Sequence, residues 1–138
     1  MIASNSIINY LILLTTFHWT LATYEDLKCH STVDDTHLGD TFTMGCTTNY
    51  GYTVISCTLK HEDLTCETTP ETSGTSSCLT EPRLTMNVGE IVDSGYCEGI
   101  VSNSHESDTG IWEMTVVTKD KYGIERRYEN IFEILILT

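Results

Sequence analysis

The sequence has little positive charge. Of its 138 residues, 7 are Lys or Arg and 20 are Asp or Glu, which gives a formal net charge of -13. Nucleic acid and anionic membrane surfaces repel such a chain, so we expect neither as a partner. A basic partner is one interpretation of the charge. The interpretation that we prefer is that the charge keeps the protein soluble in a concentrated secretion, because the acids are scattered along the chain and do not cluster.

The sequence also lacks the usual signs of a metal site. No two cysteines have the two-residue spacing of a zinc knuckle, and the histidines form no compact ligand set. The acid-rich turns contain no ordered series of calcium ligands. We therefore expect no metal and no cofactor. The sequence contains no Asn-x-Ser/Thr site for N-glycosylation.

No set of acid, base and nucleophile emerges from the sequence. The paired carboxylates, such as Glu62-Asp63 and Glu106 with Asp108, fall in turn-like polar segments where carboxylates are normally solvated. Ser104 and His105 are adjacent in such a segment, and adjacency does not make a proton relay. We expect that the protein is not an enzyme.

The start of the chain is apolar, but no charged side chain precedes Glu25. The run from Ile7 to Leu14 is short for a bilayer and has no basic stop behind it, while small residues at 20–22 suit a signal peptidase. We predict a signal peptide at residues 1–22 and a single domain at residues 23–138. A membrane anchor or a buried first helix is the alternative. No later stretch is long enough to span a membrane, so we expect a secreted, extracellular protein.

An even number of cysteines follows the predicted leader. In a small secreted chain this indicates a disulfide framework, and six cysteines allow fifteen pairings. The six are Cys29, Cys46, Cys57, Cys66, Cys78 and Cys97.

Alternating apolar and polar residues predict about seven short strands. Two of them have a clear inward face: Phe42, Met44 and Cys46 in one, and Phe132, Ile134 and Ile136 in another. For the strand at 52–59 we expect Ile55, Cys57 and Leu59 to face inward. The segment 61–82 is polar and carries both prolines, so we expect irregular structure there with at most short edge strands. The pattern is typical of an all-β sandwich.

One stretch has a more specific pattern. From 108 to 114 the chain reads Asp-Thr-Gly-Ile-Trp-Glu-Met. It resembles the Asp-x-Gly-x-Tyr-x-Cys corner of immunoglobulin-like domains, and the resemblance extends over about residues 39–137. It implies an immunoglobulin-like β-sandwich in which this corner leads into strand F. Two residues depart from the pattern: Trp112 lacks the hydroxyl that ties the corner to the backbone, and Met114 cannot bond to Cys46.

A second, shorter version of the corner motif lies at 93–97, where the chain reads Asp-Ser-Gly-Tyr-Cys. If that were strand F, Cys46 and Cys97 would form the family's usual bond. We prefer the later register, because it leaves a full-length hairpin from Ile111 to Leu137.

The positions of two cysteines make the resemblance more specific. Cys57 stands eleven residues after Cys46, where many immunoglobulin domains place a core tryptophan. Together with Cys97 this is similar to extracellular immunoglobulin-like domains of arthropods, in which a strand-C cysteine faces one near the start of strand E. The resemblance thus implies a Cys57–Cys97 bond. Cys66 with Cys78 is then the local choice, and Cys29 with Cys46 follows by elimination.

Three tyrosines next to glycines at turns, Tyr50, Tyr52 and Tyr122, are candidate partner contacts, although loop tyrosines also occur without a partner. By resemblance, we expect a disulfide-stabilised, secreted protein that binds an extracellular protein partner, in arthropod haemolymph, venom or saliva. The alternative is a disulfide-rich inhibitor or toxin that acts through the 61–82 loop.

Overall fold

The computed structural model describes residues 27–32, 36–70, 75–78, 80–91 and 94–138. The signal peptide predicted at residues 1–22 lies outside the described residues. In the described part of the chain, no helix has the length and hydrophobicity that crossing a membrane requires. The strands are β1 (Leu27–Ser31), β2 (Phe42–Thr48), β3 (Thr53–His61), β4 (Leu64–Thr68), β5 (Thr75–Ser77), β6 (Leu84–Ile91), β7 (Ser94–Val101), β8 (Gly110–Lys119) and β9 (Glu125–Ile134).

The strands form two antiparallel sheets. The first has the order β1-β2-β7-β6-β5, and the second has the order β4-β3-β8-β9. This is the arrangement of a β-sandwich and confirms the predicted fold class. Because β7 belongs to the first sheet and β8 to the second, the chain changes sheets through residues 102–109, which include a short 3-10 helix at Glu106–Asp108. The later of the two registers is therefore correct.

The core follows from the two-residue period of the strands. In β8, Trp112, Met114 and Val116 are each at most 1% exposed, while the residues between them face outward or are half-buried. The inward faces predicted for the strands that contain Phe42 and Phe132 are confirmed. The rings of Phe42 and Trp112 meet edge to face with 5.8 Å between centroids, and such an aromatic pair contributes about 1 kcal/mol beyond its buried area.

The prediction for the inward face of β3 was wrong at one position. A register irregularity against β8 falls between Val54 and Ser56, so Ile55 is the extra residue of the strand. Val54 is consequently 3% exposed, and Ile55 is only half-buried. Cys57 and Leu59 face the core as expected.

Three disulfides join Cys29 to Cys46, Cys57 to Cys97 and Cys66 to Cys78. These are the pairs that the resemblance and the remaining choices implied. The first bond lies within the first sheet, between β1 and β2. The second connects β3 to β7 through the core, and the third connects β4 to the residue after β5, so two bonds hold the sheets together.

The segment 61–82 contains both β4 and β5, and each is the edge strand of its sheet. This agrees with the prediction of short edge strands. β4 pairs regularly with β3 from Thr68 opposite Cys57 to Leu64 opposite His61. The segment is thus part of the sandwich over much of its described length.

The two ends of the sandwich differ in their connections. We call the end formed by residues 49–52, 94–95 and 120–124 the tyrosine end. At this end Thr53 of β3 lies opposite Lys119 of β8. We call the end formed by residues 61–64, 81–83 and 102–109 the corner end.

Candidate functional site

The three candidate tyrosines all lie at the tyrosine end, although they come from two loops that are far apart in sequence. Tyr50 and Tyr52 belong to the β2–β3 connection, and Tyr122 belongs to the β8–β9 turn. Tyr50 is 75% exposed and Tyr122 is 77% exposed. Tyr52 is half-buried and forms a bridge with Ser94, so it lies at the base of this end and not at its tip.

The β8–β9 turn is fixed by the side chain of Asp120. Its Oδ1 accepts hydrogen bonds from the backbone N–H of Tyr122 at 2.8 Å and of Ile124 at 3.0 Å. The backbone N–H of Gly123 donates to the carbonyl of Asp120, and Gly123 has a φ of 81°, which glycine adopts readily. Because these bonds are made within the turn, Tyr122 projects from a backbone that is already ordered.

The β2–β3 connection is tied to the first sheet by a buried threonine. The hydroxyl of Thr48, a residue that is 4% exposed, donates to the carbonyl of Tyr52 at 3.2 Å. The same oxygen accepts a bond of 2.7 Å from the backbone N–H of Gly95 at the start of β7. Thr48 therefore joins the loop that carries Tyr50 to the body of the sandwich.

The corner end is organised around an ion pair. Arg83 donates two hydrogen bonds to Asp108, Nη1 to Oδ2 at 2.8 Å and Nη2 to Oδ1 at 3.0 Å, and Arg83 also pairs with Glu81. The backbone N–H of His105 donates to Asp108 at 2.7 Å. The expectation that carboxylates near 108 are solvated was wrong for Asp108, which is 4% exposed.

These contacts set the charge states of the pair. Burial alone would raise the pKa of Asp108, but the hydrogen bonds from Arg83 and from the His105 backbone outweigh burial and lower it. The pKa of Arg83 is raised, chiefly by its hydrogen bond to Asp108. Both groups are consequently charged at neutral pH. Such a pair has no proton to give or take in the neutral range, so its geometry suits a structural role.

Trp112, which stands where the immunoglobulin-like pattern has tyrosine, also ties the corner to the backbone. Its indole Nε1–H donates to the backbone carbonyl of Asp108 at 2.8 Å, so the tryptophan supplies the tie that the missing hydroxyl would have made. The ring stacks on His61 with 4.3 Å between centroids. The other departure also packs closely, because Met114 Sδ lies 3.6 Å from Cys97 Sγ.

His61 was not singled out as a functional residue from the sequence. Its imidazole is 7% exposed, with Nδ1 3.0 Å from the carbonyl oxygen of Ile111 and Nε2 2.9 Å from that of Ser107. A shallow cleft of about 450 Å³ lies beside it, lined by the β3–β4 turn and by Thr80, Glu81 and Arg83. Only the completed fold brings these groups together, so no local sequence signal could have found them.

The groups considered for catalysis stay apart. Glu62 and Asp63 form the exposed β3–β4 turn. The Ser104 hydroxyl is buried and donates to the His37 carbonyl at 2.9 Å, so it is engaged with the backbone. Among the described residues, no three His, Cys, Asp or Glu side chains are placed to hold a metal ion.

Comparisons with known proteins bear on the fold. No family model matches the chain, and no curated protein sequence matches it either. Among solved structures, the chain is similar to that of murine CRIg, an immunoglobulin-like domain, with a TM-score of 0.55 and 10% sequence identity. The match covers 81% of this chain and 98% of that one. At this identity the likeness shows the fold alone: the chain has an immunoglobulin-like β-sandwich.

Proposed function

We propose that this chain is a secreted immunoglobulin-like binding protein that binds an extracellular protein partner through the tyrosine end. The protein acts stoichiometrically and without turnover. The observation that carries the proposal is the convergence of Tyr50 and Tyr122, both about three-quarters exposed, from two separate loops at one end of a rigid sandwich.

The chemistry of these side chains supports a protein partner. An exposed tyrosine offers a large apolar ring and a hydroxyl, and it loses little conformational entropy when it is immobilised. Tyrosines are also enriched among the residues that dominate the binding energy of protein interfaces. Tyr122 has the further advantage of a turn held by Asp120, because an ordered loop has less freedom to lose on binding.

Secretion is supported by the three disulfides, which persist in oxidising compartments. The cysteine pattern favours an arthropod setting, either in haemolymph or in venom or saliva. Expression confined to a secretory gland would support venom or saliva.

The alternative, an inhibitor or toxin that acts through segment 61–82, has weaker support. That segment contributes β4 to one sheet and β5 to the other, so a large part of it is occupied in pairing within the sandwich. A synthetic 61–82 peptide closed by its disulfide would lack those partner strands. If such a peptide nevertheless competed with the whole protein, the alternative would replace our proposal.

The test begins with capture of the partner from the extracellular fluid of the source, followed by titration of the purified partner. We expect the double variant Tyr50→Ala/Tyr122→Ala to bind at least roughly tenfold more weakly, since interface tyrosines of this kind typically carry 1–2 kcal/mol or more each. Leu38→Ala is the matched control, because the Leu38 side chain is apolar and 54% exposed but lies beside the corner end. Its backbone N–H donates to the carbonyl of Leu137 there. Equal affinity of the double variant and the wild type would refute the proposal.

A further inference from the structure

The basic residues of this acidic protein are unevenly distributed. Residues 119–127 contain four of the seven basic side chains, Lys119, Lys121, Arg126 and Arg127, but only two of the twenty acids, Asp120 and Glu125. Four positive charges minus two negative charges give this stretch a net charge of +2, against -13 for the whole chain. The stretch begins at the end of β8, forms the turn that carries Tyr122, and enters β9.

Two of these cations, Lys119 and Lys121, stand at the turn, where Asp120 separates them in sequence and Glu125 lies opposite Lys119. The Asp120 carboxylate accepts two backbone hydrogen bonds within the turn, and Arg127 pairs with Glu129 at 3.4 Å further along β9. Lys119 and Lys121 are both exposed. Lys121 Nζ lies 5.1 Å from the centroid of the Tyr122 ring, so a cation and an aromatic face are presented side by side.

The corner end has the opposite character. Of the basic residues, Lys60 and Arg83 lie toward this end, and Arg83 is bonded to Asp108. Exposed acids there include Asp40, Glu62, Asp63, Glu106 and Glu133. Among the described residues, the stretch 119–127 is thus less acidic than the corner end, so a charged partner meets a different local field at each.

We infer that the partner presents an acidic segment of protein to the β8–β9 turn, where Lys119 and Lys121 meet its carboxylates and Tyr122 supplies the apolar contact. This inference rests on the proposed function, because it describes the partner of the same site. It differs from the basic partner that is one interpretation of the whole-chain charge. Net charge describes the field far from the protein, whereas contact depends on the charges within about 8 Å at physiological salt.

Two peptide probes of equal length, one rich in glutamate and one rich in lysine, test the inference without the natural partner. The isotope-labelled protein is titrated with each at low salt while its amide NMR signals are followed. The glutamate-rich probe should shift the signals of residues 119–124, and the lysine-rich probe should shift signals near Glu62 and Glu106. If the glutamate-rich probe leaves 119–124 unchanged, the inference is overturned.

Charge reversal provides the control. We expect Lys119→Glu/Lys121→Glu to remove the response to the glutamate-rich probe, and Lys60→Glu, an exposed lysine on β3 near the corner end, to keep it. With the captured partner, the double reversal should weaken binding at least roughly threefold, with a smaller difference in high salt. If the two tyrosine substitutions abolish capture while the double lysine reversal leaves it unchanged, the proposed site stands and the acidic partner is rejected.

Discussion

The carboxylate of Asp108 is buried yet charged, because Arg83 contacts both of its oxygens. A pKa below the ordinary value means that this group stabilises the fold at neutral pH. That contribution is complete above the unfolded-state pKa, near 4, and is lost as the pH falls through the lower folded-state value. The ion pair should therefore make the corner end sensitive to strong acid and insensitive to pH changes in the neutral range.

Substitution of Asp108 tests this directly. We expect Asp108→Asn to lower the free energy of unfolding at pH 7 by about 2 kcal/mol, because the half-buried Arg83 loses its two charge-assisted hydrogen bonds to residue 108 and keeps the contact with Glu81. The difference from wild type should start to shrink as the pH falls below about 4, where the unfolded-state carboxyl takes up a proton, and should reach its minimum below the lower folded-state pKa. Denaturant unfolding at pH 7 and at low pH measures both quantities. Glu106→Gln is the control at an exposed neighbour, and a difference that stays constant with pH would contradict the argument.

Trp112 makes a second prediction at the level of a single residue. Trp112→Phe keeps an aromatic ring against His61 but removes the N–H that donates to the Asp108 carbonyl. We expect a loss of about 1–3 kcal/mol in the free energy of unfolding, since a buried carbonyl loses its donor. Circular dichroism during denaturation measures the loss. A loss confined to a few tenths of a kcal/mol would mean that the indole N–H is not an effective tie for this corner.

At the scale of elements, the β8–β9 hairpin combines a long paired stem with a turn held by one side chain. The strands pair from Gly110 opposite Ile134 to Lys119 opposite Glu125, and the turn beyond them depends on Asp120. Stem and tip can thus be altered separately. The order of the tip should depend on the oxygen atom of residue 120 and not on its charge.

We therefore expect different outcomes from two substitutions at 120. Asp120→Ala removes the acceptor and should speed hydrogen exchange at the amides of Tyr122 and Ile124, while lowering stability by about 1 kcal/mol. Asp120→Asn keeps an acceptor oxygen and should preserve protection at both amides. Hydrogen exchange followed by NMR distinguishes the two variants. Equal protection in both would show that the turn does not need the side chain.

The strands and the corner could be predicted from sequence because their signals are local. A two-residue period identified the inward faces that contain Phe42 and Phe132, and the Asp-x-Gly-x-Trp spacing located the change of sheet. The inward face of β3 could not be predicted fully, because the irregularity at Ile55 depends on how β3 pairs with β8, a strand more than fifty residues away. Local patterns do not record such pairings.

The candidate sites likewise have features that local sequence signals predict and features that depend on the complete fold. Tyrosines next to glycines marked exposed turns, but only the topology shows that Tyr50 and Tyr122 share an end and that Tyr52 lies below them. The Arg83–Asp108 pair joins residues 25 apart, and the segment between them contains β6 and β7 of the first sheet. Asp108 looked solvated because its neighbours are polar, whereas its burial depends on β6 arriving beside the corner.

At the scale of the whole molecule, two disulfides connect the sheets, and they close loops of different length. Cys57 and Cys97 are 40 residues apart, whereas Cys66 and Cys78 are 12 apart. In the chain-entropy account these bonds contribute about 4 and about 3 kcal/mol. We expect Cys66→Ser/Cys78→Ser to fold with a lowered melting temperature and Cys57→Ala/Cys97→Ala to lose more. Calorimetry measures which of the two double variants loses more thermal stability. A larger loss in Cys66→Ser/Cys78→Ser would show that the disulfide at the sandwich edge contributes more than the disulfide in the core.

The register of the first sheet has a practical consequence for making the protein. Cys46 lies opposite Cys29 on one neighbouring strand and opposite Cys97 on the other. A newly made chain whose β2 and β7 pair early can thus oxidise Cys46 with Cys97 and leave Cys29 and Cys57 to each other. That product has no free thiol but lacks two of the three native disulfides. Recombinant preparations should therefore contain a shuffled isomer of identical mass, and a thiol-disulfide isomerase or a glutathione buffer should convert it to the native form.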